Sequence, residues 1–295
     1  MPAPVSRRWF LAGSAALVAA AACGNDDEAR PAVSVPDDTD DTQARDQLNL
    51  LVGTFNTLAG RPEERVALLI VDGNREPLTT SDPVTVAFGV APRSRELGPA
   101  LPAERHDDGL AMPYYLVKTQ FPAPGAYALQ ATVGSREAVA AVEVIDPTAD
   151  PSPKAGEPMI ATPTPTPGDP HGVDPICTRE PACPLHAVSL DAALAEAKPV
   201  VALFATPAFC QTATCGPVLD VLLAEQAAFA DRVTFVHVEI FKDRNAQETA
   251  PAVQAYKMQN EPWLFLAGAD GVVRERISGP YDRAEVRAAL QRLAG

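Results

Sequence analysis

Between Pro147 and Pro175 proline recurs so often that neither a helix nor a central strand can run through the segment. Proline removes a backbone donor and its ring clashes with the preceding helical turn. The chain must therefore organise itself separately on either side. The run PTADPSPKAGEPMIATPTPTPGDPHGVDP favours extended, polyproline-type backbone, which predicts a semi-rigid spacer over residues 147–175.

The first 22 residues read as an export signal rather than a fold element. SRRWFL at 6–11 is followed by an apolar, alanine-rich run from Trp9 to Ala22, too short to span a bilayer. Arg7 and Arg8, followed by Phe10 and Leu11, resemble the twin-arginine signal. Ala20-Ala21-Ala22-Cys23-Gly24 resembles a lipobox, with alanine at position 20 where leucine is usual, and that resemblance implies lipidation of Cys23. Residues 23–46 are acidic and poor in large apolar side chains, which predicts a disordered tether. The expected location is extracytoplasmic, anchored to the cell membrane by an N-terminal lipid, where disulfides persist. A net charge of −14 repels phosphate backbones, so nucleic acid is excluded as a partner.

Residues 47–146 alternate short apolar runs with turn signals. Strands are expected at Val66–Val71, Val84–Val90, Tyr114–Lys118, Tyr127–Val133 and Ala138–Ile145, punctuated by Asp72-Gly73-Asn74, Ser81-Asp82-Pro83 and Gly134-Ser135. This spacing indicates an antiparallel β-sandwich. Pro124-Gly125-Ala126-Tyr127-Ala128-Leu129 resembles the PGxYxL stretch before a late strand of immunoglobulin-like domains, which implies that fold. The region has no cysteine, and its His106 is read as a solvated loop residue. Spacing or partner recognition is its expected role.

Residues 176–295 alternate helices and strands. Ser189 can cap a helix through Ala197, and Val200–Ala205 is an apolar run suited to a strand covered on both faces. A helix containing Val218, Leu219, Leu222 and Leu223 follows, then a strand at Val233–Ile240 and a short helix at Pro251–Met258. Trp263–Ala267 and Val272–Ile277 flank a hairpin turn at Ala269-Asp270-Gly271. Asp282 and Glu285 make a capping pair for a last helix.

This order resembles that of thioredoxins. Phe209-Cys210 follows the first strand, as the Trp-Cys of the redox motif does. Gly216-Pro217-Val218-Leu219-Asp220 resembles the interior of the next helix with its kinking proline. Glu261-Pro262 before Trp263 resembles the cis-proline that faces the redox cysteines, next to which substrate peptide binds. The resemblance implies a multi-domain chain, an all-β immunoglobulin-like sandwich followed by an α/β thioredoxin-like fold. It also implies thiol–disulfide exchange at Cys210 and Cys215, with Phe209, Glu261, Pro262 and Trp263 shaping the substrate surface.

The motif departs from the family in carrying four residues between its cysteines instead of two. On a regular helix, Cα atoms five residues apart are about 8.6 Å distant, whereas a disulfide needs about 4.4–6.8 Å. Cys210 and Cys215 can bond only if the intervening segment leaves regular helix. The family's buried acid is also missing from Val200–Ala205. A thiol at a helix start still faces unpaired N–H groups, which favour thiolate.

Three disulfide pairings are open to the four cysteines after Cys23. Pairing neighbours closes the cheapest loops, with Cys177–Cys183 as a structural clip and Cys210–Cys215 as the active pair; an alternative has Cys177 or Cys183 passing electrons to Cys210. The expected function is a membrane-tethered oxidoreductase, a monomer without dissociable cofactor or metal, acting on exported cysteine-containing proteins or a membrane redox partner. One alternative is a copper(I) chaperone resembling the Sco type, since thiolates suit Cu(I). Those proteins space their cysteines by three residues, and here His237 is read as a core residue and His186 as a weak candidate. Another alternative is a non-catalytic scaffold.

Overall fold

In a computed structural model of the chain, residues 47–91, 96–210 and 212–295 are described. Arg7, Arg8, Cys23, the signal and the acidic tether lie outside them. Among the described residues, no helix is long and apolar enough to cross a membrane.

The N-terminal half is all β. Its strands are β1 (Leu48–Val52), β2 (Thr57–Leu58), β3 (Glu64–Asp72), β4 (Val84–Val90), β5 (Leu101–His106), β6 (Tyr114–Thr119), β7 (Gly125–Val133) and β8 (Arg136–Ile145). They form one eight-stranded sheet in the order β1-β3-β6-β5-β4-β7-β8-β2. Strand β5 turns the corner: Leu101 to Ala103 pair with β4, and Glu104 to His106 pair with β6. The sheet thus curls over a core that includes Val66, Leu68, Val86, Tyr115, Phe121, Leu129 and Val142. In β7 the buried residues alternate as a half-buried strand requires. His106, expected in solvent, is instead the buried end of β5; its ring stacks on Tyr114, with centroids 4.9 Å apart.

The C-terminal half contains α1 (Leu190–Ala195), β9 (Val200–Phe204), α2 (Cys215–Phe229), β10 (Thr234–Val238), α3 (Pro251–Ala255), β11 (Trp263–Ala267), β12 (Val273–Ser278) and α4 (Arg283–Ala294). The sheet order is β10-β9-β11-β12, with β10 parallel to β9 and the other pairs antiparallel. Alternation along β9 sorts two cores. Val201 and Leu203 face α2 and α4, whereas Val200, Ala202 and Phe204 face α1 and α3. Every residue of β9 is buried, as expected of a strand covered on both sides.

Residues 147–175 do not span open solvent. They strap the α1–α3 side of this sheet: Met159 and Val173 enter its core, Met159 N–H donates to Gly271 O at 2.9 Å, and Asp174 N–H donates to Lys242 O at 2.8 Å. The strap also caps α1. Thr164 Oγ1 accepts the Leu190 N–H at 2.9 Å, the role expected of Ser189, whose hydroxyl accepts from Thr164 N–H instead. Proline suits such a strap because its backbone is already extended and leaves few donors to orphan.

The described residues of both halves belong to one compact unit. Arg65 of β3 reaches across to α4 and grips Glu285 with Nε at 2.6 Å and Nη2 at 2.8 Å. The Tyr114 hydroxyl donates to the same carboxylate. Burial alone would push Glu285 upward, but the Arg65 guanidinium and these hydrogen bonds hold its pKa below the usual carboxylate range. Where the halves cross, Gly279 (φ +74°) lies so close to Gly53 that a Cβ there would stand 1.8 Å from the Gly53 oxygen.

Candidate functional site

Two cysteine clusters sit at the ends of β9 and β10, on the face shared with α2 and α4. Strand ends of this kind leave a crevice where loops can gather chemistry.

The first cluster is Cys210, Cys215 and Glu261, whose sulfur and carboxylate atoms lie within 4.8 Å of one another. Between the cysteines, residues 212–214 leave regular helix, but the two sulfurs are unbonded. Ala213 adopts a left-handed φ of 56°, and α2 begins only at Cys215. Cys210 is therefore not the first helical residue, as expected, but lies in the preceding turn with its sulfur against the helix start. Cys215 N–H donates to Cys210 Sγ at 3.3 Å. No side chain of the N-cap residue Thr214 takes that role, so sulfur satisfies one of the donors a helix start leaves open. Pro217 falls in the first turn, where no amide partner is lost, rather than in the helix interior.

The two sulfurs differ sharply. Cys210 is half-buried and Cys215 fully buried. A hydrogen bond from the Cys215 thiol, aided by Thr212 and the Cys215 amide, outweighs burial and lowers the Cys210 pKa to about 4. Burial, with the neighbouring thiolate, pushes Cys215 far up. Glu261 is also raised, by burial and then by the Cys210 charge.

Around this pair, the Glu261–Pro262 bond is cis, Pro262 is buried and Glu261 half-buried. Phe209 is half-buried and meets Phe241 edge-on at 6.1 Å; Phe241 was not singled out from the sequence. Trp263 does not join the surface. Alternation along β11 turns it to the opposite core, where it is 2% exposed, stacks on Phe265 and lies under the Arg276 guanidinium.

The second cluster is Cys177, Cys183, His186 and His237, all buried. The sequence suggested a disulfide clip between the two cysteines, with His237 as core. Instead both sulfurs are unbonded and face an imidazole. His237 Nδ1 lies 3.3 Å from Cys183 Sγ, 3.8 Å from Cys177 Sγ and 3.1 Å from His186 Nε2. The segment reaches the strand because His237 N–H donates to Leu185 O at 2.8 Å, covering the edge of β10. The Cys183-x-x-His186 spacing was the available sequence signal; nothing in the sequence tied it to His237, about fifty residues on.

Glu239, just past β10, is a buried carboxyl that the sequence reading also missed. Its Oε1 accepts from the Thr178 amide and hydroxyl, both at 2.6 Å, and burial raises its pKa. Ala208 N–H donates to the same Thr178 hydroxyl at 3.2 Å, so Thr178 joins the Cys177 loop to the Cys210 turn.

No protein-family model matches the chain, and no curated protein matches it. Among solved structures, one chain from the crystal structure of the titin M10–obscurin-like 1 Ig complex matches 34% of this chain and 97% of its own length. That match has 18% identity and a TM-score of 0.19, too low to transfer a fold.

Proposed function

We propose that the chain is an extracytoplasmic, lipid-anchored thiol–disulfide oxidoreductase, with a thioredoxin-like C-terminal layer joined to an immunoglobulin-like sandwich. The observation that carries the chemistry is the contact between Cys215 N–H and Cys210 Sγ, at 3.3 Å, which holds a half-buried sulfur as thiolate beside a fully buried thiol. The strand order β10-β9-β11-β12 supports the thioredoxin-like reading.

In this reading the Cys210 thiolate attacks one sulfur of a substrate disulfide. The substrate S–S bond breaks, a mixed disulfide forms, and the departing thiolate takes a proton from solvent. Cys215 then gives its proton to Glu261 and attacks Cys210 Sγ, and the second substrate sulfur leaves as a thiolate that takes that proton back from Glu261. The substrate gains two electrons, and Cys210–Cys215 is left as a disulfide. The reverse sequence oxidises a substrate dithiol, and a dithiol or disulfide partner at the membrane resets the pair. Exported cysteine-containing proteins are the substrate class.

Trapping tests the assignment. Cys215→Ser should accumulate a mixed disulfide with reduced-and-reoxidised model substrates, and Cys210→Ser should abolish both trapping and insulin reduction. Insulin reduction that survives Cys210→Ser would leave only a scaffold.

A further inference from the structure

We propose that Cys177, Cys183, His186 and His237 form a closed tetrahedral site for one zinc ion. Zinc bonds of about 2.3 Å to sulfur and 2.0–2.1 Å to nitrogen set sulfur–nitrogen edges of a tetrahedron near 3.6 Å and the nitrogen–nitrogen edge near 3.3 Å. The observed edges are 3.3 and 3.8 Å for the two sulfurs against His237 Nδ1, and 3.1 Å between the imidazole nitrogens. All four donor atoms lie within 4.8 Å of one another.

Hydrogen bonding aims the His237 lone pair inward. His237 Nε2 lies 3.1 Å from Ala205 O, a carbonyl that can only accept, so Nε2 carries the hydrogen and Nδ1 presents its lone pair to the cluster. A ligating histidine anchored through its other nitrogen on a backbone carbonyl is the usual support for a metal. On the opposite side Cys183 N–H donates to Cys177 Sγ at 3.3 Å, a contact that suits a thiolate. His186 turns Nε2 toward His237 Nδ1 at 3.1 Å, and its Nδ1 is buried without a hydrogen-bond partner.

Donor chemistry narrows the ion. Two thiolates with two imidazoles in tetrahedral array suit zinc rather than calcium or magnesium, which take oxygen. Binding one Zn²⁺ releases one proton from each cysteine, leaving a neutral centre in a site that could not hold two bare thiolates. Exposure of the four ligands is 8, 6, 3 and 0% in chain order, so no coordination position opens to solvent. That is the pattern of a structural site rather than a hydrolytic one. The ion would pin the 177–186 loop to the edge of β10, and through Thr178 it would steady the turn carrying Cys210. The site shares no ligand with Cys210 and Cys215, so it stands whether or not those residues exchange disulfides.

Elemental analysis of the purified full chain, reduced and reconstituted with zinc, tests the proposal. About one zinc per chain is expected, unchanged in the Cys210→Ser/Cys215→Ser double variant and reduced at least about tenfold in His237→Ala. Should His237→Ala fail to fold, cobalt(II) loading of the unaltered chain gives the second readout. Strong tetrahedral d–d bands with sulfur charge transfer are expected. Zinc below about a tenth per chain, stoichiometry untouched by His237→Ala, a weak octahedral cobalt spectrum, or a Cys177–Cys183 disulfide persisting after reconstitution would each overturn it.

Discussion

The amide of Cys215 points at the sulfur of Cys210 from 3.3 Å, so the first N–H of α2 is capped by a thiolate instead of by its own N-cap side chain. With the pKa of Cys210 near 4, alkylation of Cys210 by iodoacetamide should be nearly independent of pH above about pH 6, two units past the midpoint, and should fall as pH drops through 4. Because its folded value lies below the unfolded one, Cys210's own contribution to the stability of the reduced protein is fully present above the ordinary thiol pKa and is lost as pH falls through the folded value, whereas Cys215, held above its ordinary value, works in the opposite sense as pH rises past it. The Cys215 thiol is the largest contributor to the shift. Cys215→Ala should therefore move the midpoint upward by at least about one unit, a tenfold change in acidity.

The same thiolate biases the redox balance. Stabilising one sulfur of the dithiol favours the reduced form, which makes the couple a stronger oxidant. Equilibration with glutathione should place the Cys210/Cys215 potential nearer to about −120 mV than to about −270 mV. A value at the reducing end would show that the thiolate is not preserved in the working protein.

Gly279 fixes how closely the two halves approach. A methyl group there would meet the Gly53 oxygen at 1.8 Å, on a backbone with φ of +74°, so two independent penalties act together. Gly279→Ala should cost about 3–5 kcal/mol, seen as a lower urea midpoint. Gly271→Ala, also at positive φ (+72°) but with open space around its Cβ, should cost only about 1 kcal/mol.

Arg65 and Glu285 form a two-pronged pair across the same boundary, and its removal should be asymmetric. Glu285→Gln leaves the Arg65 guanidinium half-compensated in a mostly buried position and should destabilise by about 3 kcal/mol. Replacing both, as Arg65→Met with Glu285→Leu, should recover much of the loss, because neither charge then remains unpaired. Chemical denaturation of the single and double variants measures the coupling.

Local sequence signals carried much of the architecture. The strands around Val66, Val84, Tyr114, Tyr127 and Ala138 follow from period-two patterning and turns, and the α4 cap forms as Asp282 and Glu285 imply, with Asp282 accepting the Glu285 amide at 2.8 Å. What escaped was anything decided by long-range packing. β5, in which only His106 is buried and Glu104 and Arg105 are exposed, lacks an apolar rhythm because it serves both halves of the sheet. The proline segment reads as a spacer since sequence shows its stiffness but not the surface it lies on. Trp263 and His237 were assigned without their strand parity: one is turned away from the cysteines and the other toward them.

His106 links the curled sheet to α4 through an ionisable contact, its Nδ1 standing 3.1 Å from Asp282 Oδ1. Burial pulls the imidazole pKa down, but hydrogen bonding and charge attraction from Asp282, with Glu285 behind it, raise it overall above 6.5. A folded value above the unfolded one means the contribution is fully present below pH 6.5 and is lost as pH rises through the folded value. Urea unfolding of the wild-type chain should therefore show stability declining on the alkaline side of 6.5, and His106→Gln should flatten that slope. The magnitude should be about 1 kcal/mol, the scale of a modest upward pKa shift. Asp282 titrates in the opposite sense: it is held below its ordinary value of 3.8, despite burial, by His106 and the amides of Glu285 and Asp108, so its share is lost only in acid. Measuring the slope between pH 6 and 8 therefore isolates the histidine, and a slope unchanged by His106→Gln would assign it to another group.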